Sequence, residues 1–301
     1  MLLRAGRQDG RRPSVRDEEN ALIDDSGPRE RARRIFRSPV RAALFTVLAI
    51  GAVVTLTPAN GAAGDIATSF AKAVQHLTAP SQNAQAFSGT PAVGALFTTS
   101  SGQLGQHFCT ASVIDSPGGD LAITAAHCLT GVSGTVDFVP GYDKGTKPYG
   151  VWTVTKVYVD QAWANSSSPD DDFAFLRLSQ PGSSVPIEDV TGAEQLAMRP
   201  PASRQLVQVI GYPSASNQPV TCRNWLREPM AGQLEFDCGG YTNGTSGGPF
   251  LGDVDQTTDQ GMVMGVIGGY QQGGLMPQIS YSAMLGTSAA AALYKTAEAD
   301  G

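Results

Sequence analysis

The chain's 301 residues hold 16% charged side chains, 35 Gly and 19 Pro, which suits one large or two modest turn-rich β domains rather than a helical bundle. The net charge of -6 is unevenly spread: residues 1–41 hold 11 Arg against 7 Asp and Glu, while the other 260 residues hold 10 basic and 20 acidic side chains. An acidic globular part argues against nucleic acid as a partner, because phosphate contacts need clustered Lys and Arg.

Residues 1–41 read as an Arg-rich disordered head. Ala42 to Thr57 follow without a charge, and small residues come next at Ala59, Gly61, Ala62 and Ala63. Basic flank, apolar run and small-residue exit make 42–63 a secretory signal or a membrane anchor. In either case the head stays cytoplasmic and the rest of the chain is exported. Residues 64–90 read as a spacer or pro-segment, with His76 a solvated side chain. The folded domain is expected over 91–301.

From Pro91 onward short apolar or alternating runs recur: Val93–Phe97, Phe108–Ile114, Leu121–Thr124, Thr135–Val139, Trp152–Val159, Phe173–Leu178, Leu206–Ile210, Gln233–Phe236 and Met262–Ile267. Gly, Pro, Asn and Asp clusters separate them, a rhythm that favours an all-β sandwich or barrel over βαβ units. Only Ser282 to Ala299, Ala-rich and placed after Met276-Pro277, reads as a helix. The four cysteines, Cys109, Cys128, Cys222 and Cys238, show no CxxC spacing that would point to zinc or a redox dithiol. In an exported chain they make two disulfides, with three pairings open. No metal or cofactor is read from the sequence.

Three local patterns carry chemistry, and they occur in a set order: Thr124-Ala125-Ala126-His127-Cys128, then Asp172-Phe173-Ala174-Phe175-Leu176, then Gly244-Thr245-Ser246-Gly247-Gly248-Pro249. A serine hydroxyl is a poor nucleophile unless a base takes its proton during attack. A histidine titrates near neutrality and suits that task, and a buried carboxylate orients it. Asp170 and Asp171 compete with Asp172 for the carboxylate role. The alternation beginning at Phe173 leaves Asp172 at the mouth of a strand and favours it.

These motifs and their order resemble the trypsin/chymotrypsin family of serine peptidases, above all its compact bacterial, actinobacterial-type secreted members. The resemblance implies two antiparallel β-barrels over about residues 91–281, with a C-terminal helix packed behind them. It implies a monomeric endopeptidase acting on peptide or protein, with Ser246 as nucleophile, His127 as base and Asp172 as orienting acid. The Gly244 and Ser246 N–H groups would form the oxyanion hole. It also implies a Cys109–Cys128 bridge across the histidine loop and leaves Cys222–Cys238 as the second pair, although sequence does not exclude other pairings. By the same resemblance Gly240 stands at the base of the first substrate pocket, with Gly268, Gly269 and Tyr270 beside the substrate. No acidic pocket base is then present to attract Arg or Lys, and small or apolar side chains are favoured. Thr245 replaces the family's frequent Asp, so an ion pair with a freed N-terminus cannot complete this site. A silent binding protein on the same fold and an esterase-type hydrolase are the alternatives.

Overall fold

The structure is a computed structural model. It describes residues 82–300 apart from Ser203, Ala231 and Pro277, and the side chains of residues 228–230 are not described. The head, the apolar segment and residues 64–81 therefore lie outside the described residues.

Among the described residues fourteen strands run in chain order. β1 is Gln85–Ala86, β2 Val93–Ser100, β3 Gln103–Ile114, β4 Leu121–Thr124, β5 Thr135–Pro140, β6 Trp152–Val159 and β7 Ala174–Ser179. β8 is Gln195–Leu196, β9 Leu206–Gly211, β10 Val220–Met230, β11 Gln233–Asp237, β12 Pro249–Gly252, β13 Met262–Val266 and β14 Ile279–Ala283. The described residues also form three α-helices: α1 (Gln161–Ser166), α2 (Glu188–Thr191) and α3 (Ser288–Ala299). The chain is thus mostly β, with two sheets and a C-terminal helix, as the resemblance implied.

Strands β2 to β7 close a barrel in the order β2-β3-β4-β7-β6-β5. Leu96, Val113, Ile123, Phe138, Phe175 and Leu176 on its strands are all fully buried. The second sheet runs β14-β11-β10-β9-β12-β13-β8, with β1 added to β10. Val207, Val209, Leu234, Phe236 and Phe250 fill it. No backbone ladder pairs β13 with β14 in that order. The gap is spanned by Val266 N–H donating to Ser282 Oγ at 2.7 Å and Gly268 N–H donating to Tyr281 O at 3.0 Å.

Three departures from the sequence reading have plain causes. Residues 82–90 are partly built into the second sheet rather than forming a free spacer. Ala84 N–H donates to Gly239 O at 2.8 Å, Phe87 N–H donates to Pro219 O at 3.1 Å, and β1 pairs with β10. The C-terminal helix begins at Ser288, because Thr287 caps it by accepting from Ala290 N–H at 3.2 Å. Ser282 and Ala283, expected in that helix, instead belong to β14. β8 runs parallel to β13, an exception to the antiparallel pattern.

Helix α3 packs on the first barrel. Tyr294 meets Phe175 edge-on at 5.6 Å and donates to Asp115 O at 2.6 Å, while Arg177 pairs with Asp120 and donates to Ala297 O at 2.5 Å. The crossover between barrels is fixed at Glu194. Its backbone pairs with Val113 and Asp115 of the first barrel, and its carboxyl accepts from Gly261 N–H at the entry to β13.

Glu194 is fully buried, and burial pushes its carboxyl up to about 8 from an ordinary value of 4.5. The folded state therefore keeps a proton that the unfolded chain releases at lower pH, so this group's contribution is complete below about pH 4.5 and is lost as pH rises through about 8. Glu194→Gln should melt with the wild type at pH 5 and above it at pH 9, as thermal unfolding at the two pH values would show. A variant that gains nothing at pH 9 would mean that Glu194 ionises in place without cost.

Candidate active site

Each candidate side chain is set by a short segment at a barrel end. β4 is buried along its whole length and runs out at Thr124 into a 3-10 turn, Ala126–Leu129, that carries His127. Cys128 in that turn is tied to Cys109 on β3, and the second disulfide joins Cys222 to Cys238. Both implied pairs are therefore present. Asp172 follows a 3-10 turn, Pro169–Asp171, and precedes β7. Ser246 lies in the turn that leads into β12.

The Asp172 carboxylate has no solvent exposure and accepts three hydrogen bonds. His127 N–H donates to Oδ1 at 2.9 Å, His127 Nδ1 lies 2.8 Å from Oδ2, and Gly269 N–H donates to Oδ2 at 2.8 Å. A carboxylate only accepts, so the proton sits on Nδ1 and the Nε2 lone pair is left for the cleft. The neighbouring acids are engaged elsewhere. Asp170 accepts from Gln233, and Asp171 accepts from Ser168 Oγ at 2.7 Å. Among the described residues no hydrogen bond joins the Ser246 hydroxyl to His127. Both line one cavity of about 1010 Å³, and such contacts commonly tighten only when substrate is bound.

The two candidate oxyanion donors are aimed by the carbonyls before them. In a planar trans peptide the C=O and the next N–H point opposite ways. Asn243 O is held by Ser214 N–H at 2.7 Å, which turns Gly244 N–H away from Ser214. Thr245 O is held by Gly248 N–H at 2.9 Å, which does the same for Ser246 N–H. Among the described residues neither amide donates to a protein group. Gly244 sits at φ +95°, and any side chain there would collide with Ser214 and Tyr212 O, so this position needs glycine.

Thr110, on β3 of the first barrel, pins this turn from behind. Its N–H donates to Ser246 O at 2.7 Å, and its hydroxyl donates to Gly244 O at 3.0 Å and accepts from Tyr212 N–H at 2.9 Å. Thr110 and Ser214 lie outside any local motif because they act on backbone atoms of a turn that is more than a hundred residues from Thr110 and nearly thirty from Ser214 in sequence.

A second cavity, of about 640 Å³, opens beside Ser246, with Tyr241, Thr242, Ile267, Leu275, Met276 and Ile279 in its walls. Gly240, Gly268, Gly269 and Tyr270 line neither cavity. Gly240 packs toward Ala84 of the built-in N-terminal segment. Gly268 and Gly269 lie on the Asp172 side, and the Tyr270 ring meets Tyr281 edge-on at 5.2 Å. The Tyr241 hydroxyl is raised by burial and donates to Val209 O at 2.8 Å, so the ring alone serves as wall. His107 is buried beside Phe97, Tyr142 and Tyr212, and burial lowers its pKa. Cys109, His127 and Cys128 lie close together, but the two sulfurs are joined and offer no thiolate to a metal.

Paired β units with a His–Asp couple and a serine turn at their cleft define the chymotrypsin-like class. The chain belongs to the trypsin family of serine peptidases: the family model described as Trypsin matches residues 80–280. No curated protein matches the chain. Among solved structures it is similar to the protease Anisep from Arthrobacter nicotinovorans, with a TM-score of 0.60 and 23% identity over 72% of this chain and 99% of that one. It is also similar to the thermostable serine protease AL20 from an extremophilic microorganism, with a TM-score of 0.60 and 24% identity over 70% and 99% of the two chains. A third is a Glu endopeptidase, with a TM-score of 0.57 and 16% identity over 72% and 97%. Bacterial relatives of this fold were expected from the sequence.

Removing the Asp172 charge should leave the wrong imidazole tautomer and lower kcat by about 10⁴-fold. Asp172→Asn tests this beside Asp171→Asn, which should stay within a few-fold of wild type. Steady-state hydrolysis of a peptide substrate reads both. Equal losses would remove Asp172 from its special place.

Proposed function

We propose that the chain is an exported serine endopeptidase that works through an acyl-enzyme on Ser246. Ser246 Oγ attacks the scissile carbonyl while His127 Nε2 takes its proton. The carbonyl oxygen becomes an oxyanion held by the Gly244 and Ser246 N–H groups. His127 then gives its proton to the leaving amine as the C–N bond breaks, and water, deprotonated by the same nitrogen, hydrolyses the ester. Asp172 keeps the tautomer and stabilises the imidazolium. Losing one oxyanion donor typically costs about 10²–10³-fold in rate, which is why the pinned carbonyls matter. The observation that carries this reading is the buried Asp172–His127 pair beside two outward amides at Ser246.

The substrate side chain entering the pocket is proposed to be uncharged. Among the described residues no Asp, Glu, Lys or Arg lines either cavity, and His127 is the sole titratable nitrogen there. A charged side chain would be desolvated without a partner, which costs several kcal/mol. Export is supported by the apolar segment at 42–57 and by the two disulfides, which fit an oxidising compartment.

Fluorophosphonate labelling with peptide mapping tests the nucleophile. Ser246 should be phosphonylated in the wild type and unlabelled in Ser246→Ala and His127→Ala. An unlabelled wild type with both disulfides intact would favour a binding protein on this fold. In a peptide library, Leu, Phe or Ala before the cleaved bond should exceed Arg, Lys and Glu by about 100-fold in kcat/KM. A preference for any charged residue would refute the pocket reading.

A further inference from the structure

Gln233 lies outside every motif, at the start of β11 in the second sheet, and is only 4% exposed. All its polar atoms are used. Nε2 donates to Asp170 Oδ1 at 2.6 Å and to Pro169 O at 3.1 Å, and Oε1 accepts from Tyr270 N–H at 2.8 Å. The first two contacts hold the turn that presents Asp172. The third holds the segment whose preceding residue, Gly269, donates to Asp172 Oδ2. One amide therefore grips both sides of the Asp172–Gly269 hydrogen bond.

The surroundings show how narrow this arrangement is. Gly269 sits at φ +71°, and a side chain there would collide with Gln233 Oε1. Gly268 offers no hydroxyl that could approach Asp172 instead. Beyond Tyr270 the chain turns through Gln271 and Gln272, both at positive φ, and these residues line the cleft. The segment that borders substrate and the one that supplies the third donor to Asp172 are thus continuous, and Gln233 anchors them at their junction.

We propose that Gln233 is a positioning residue for the Asp172–His127 pair. It acts by holding Tyr270 N–H and the Pro169–Asp171 turn together, so that Gly269 N–H stays on the Asp172 carboxylate. The proposal rests on the serine peptidase reading above. Without Gln233, Asp172 loses a donor and binds the imidazolium more tightly, so His127 holds its proton to higher pH and is a poorer base at neutrality.

The test is Gln233→Met in the full chain, which keeps the length of the side chain and removes its donors and acceptor. Asp170→Ala, at an exposed position, is the second variant, and Arg177→Ala is the control because it loosens helix α3 without touching the cleft. With wild type first shown to be labelled at Ser246, Gln233→Met should lower kcat/KM by about 10- to 100-fold and move the acid limb of its pH profile upward. Asp170→Ala should move the limb in the same direction by less, and decides the matter if Gln233→Met does not fold. Arg177→Ala should lower the melting temperature with the limb unmoved. A Gln233→Met enzyme within twofold of wild type, or a slower one with an unmoved limb, overturns the proposal. An unlabelled wild type instead overturns the peptidase reading on which it rests.

Discussion

A carboxylate without contact to water is the constraint on which the rest of this structure depends. Removing such a charge from solvent costs several kcal/mol unless hydrogen bonds replace the lost water. Asp172 meets that requirement with donors from two sources: two from His127 in the first barrel, and one from Gly269 beyond β13 in the second. The first barrel alone would leave Oδ2 one donor short. Satisfying Asp172 therefore requires the two units to meet at the cleft, and the demand of one buried charge helps to set the shape of the site.

The same economy governs the serine turn. Its geometry is held by neutral hydrogen bonds, with Ser214 and Gly248 each fixing one carbonyl and Thr110 fixing two. Thr110 stands on the first barrel while the turn belongs to the second, so this contact too crosses the cleft. The first barrel thereby braces the turn whose N–H donors Ser214 and Gly248 aim. Because these donors are fixed before substrate arrives, little reorganisation is needed as charge develops on the carbonyl oxygen.

The parts legible in the sequence were those whose chemistry is local. Thr124 to Cys128, Asp172 to Leu176 and Gly244 to Pro249 each hold a functional residue together with the turn that presents it. β4 and β6 matched their sequence bounds because bounded apolar or alternating runs mark strands well. β10 was missed although it alternates, since its outer face carries Arg223, Trp225 and Arg227 and dilutes the apolar signal. β12 and β14 were missed as short runs beside stronger motifs. The pocket walls were illegible for a different reason. Tyr241, Ile267 and Leu275 converge only after folding, and counting back six from Ser246 reaches Gly240, which faces the N-terminal segment.

That segment and Thr245 together explain how the serine turn is held without a carboxylate beneath it. Thr245 is buried and its hydroxyl donates to Thr242 O at 2.8 Å, closing the turn on itself over three residues. A buried Asp at this position would need a cation brought to it, whereas a threonine needs only a nearby carbonyl. Gln82 to Phe87 meanwhile run along Gly239 and Pro219 through backbone hydrogen bonds, covering the back of Gly240 with Ala84. Both contacts are neutral and made by the interior of the chain. Among the described residues the nucleophile turn is therefore braced by hydrogen bonds rather than by an ion pair.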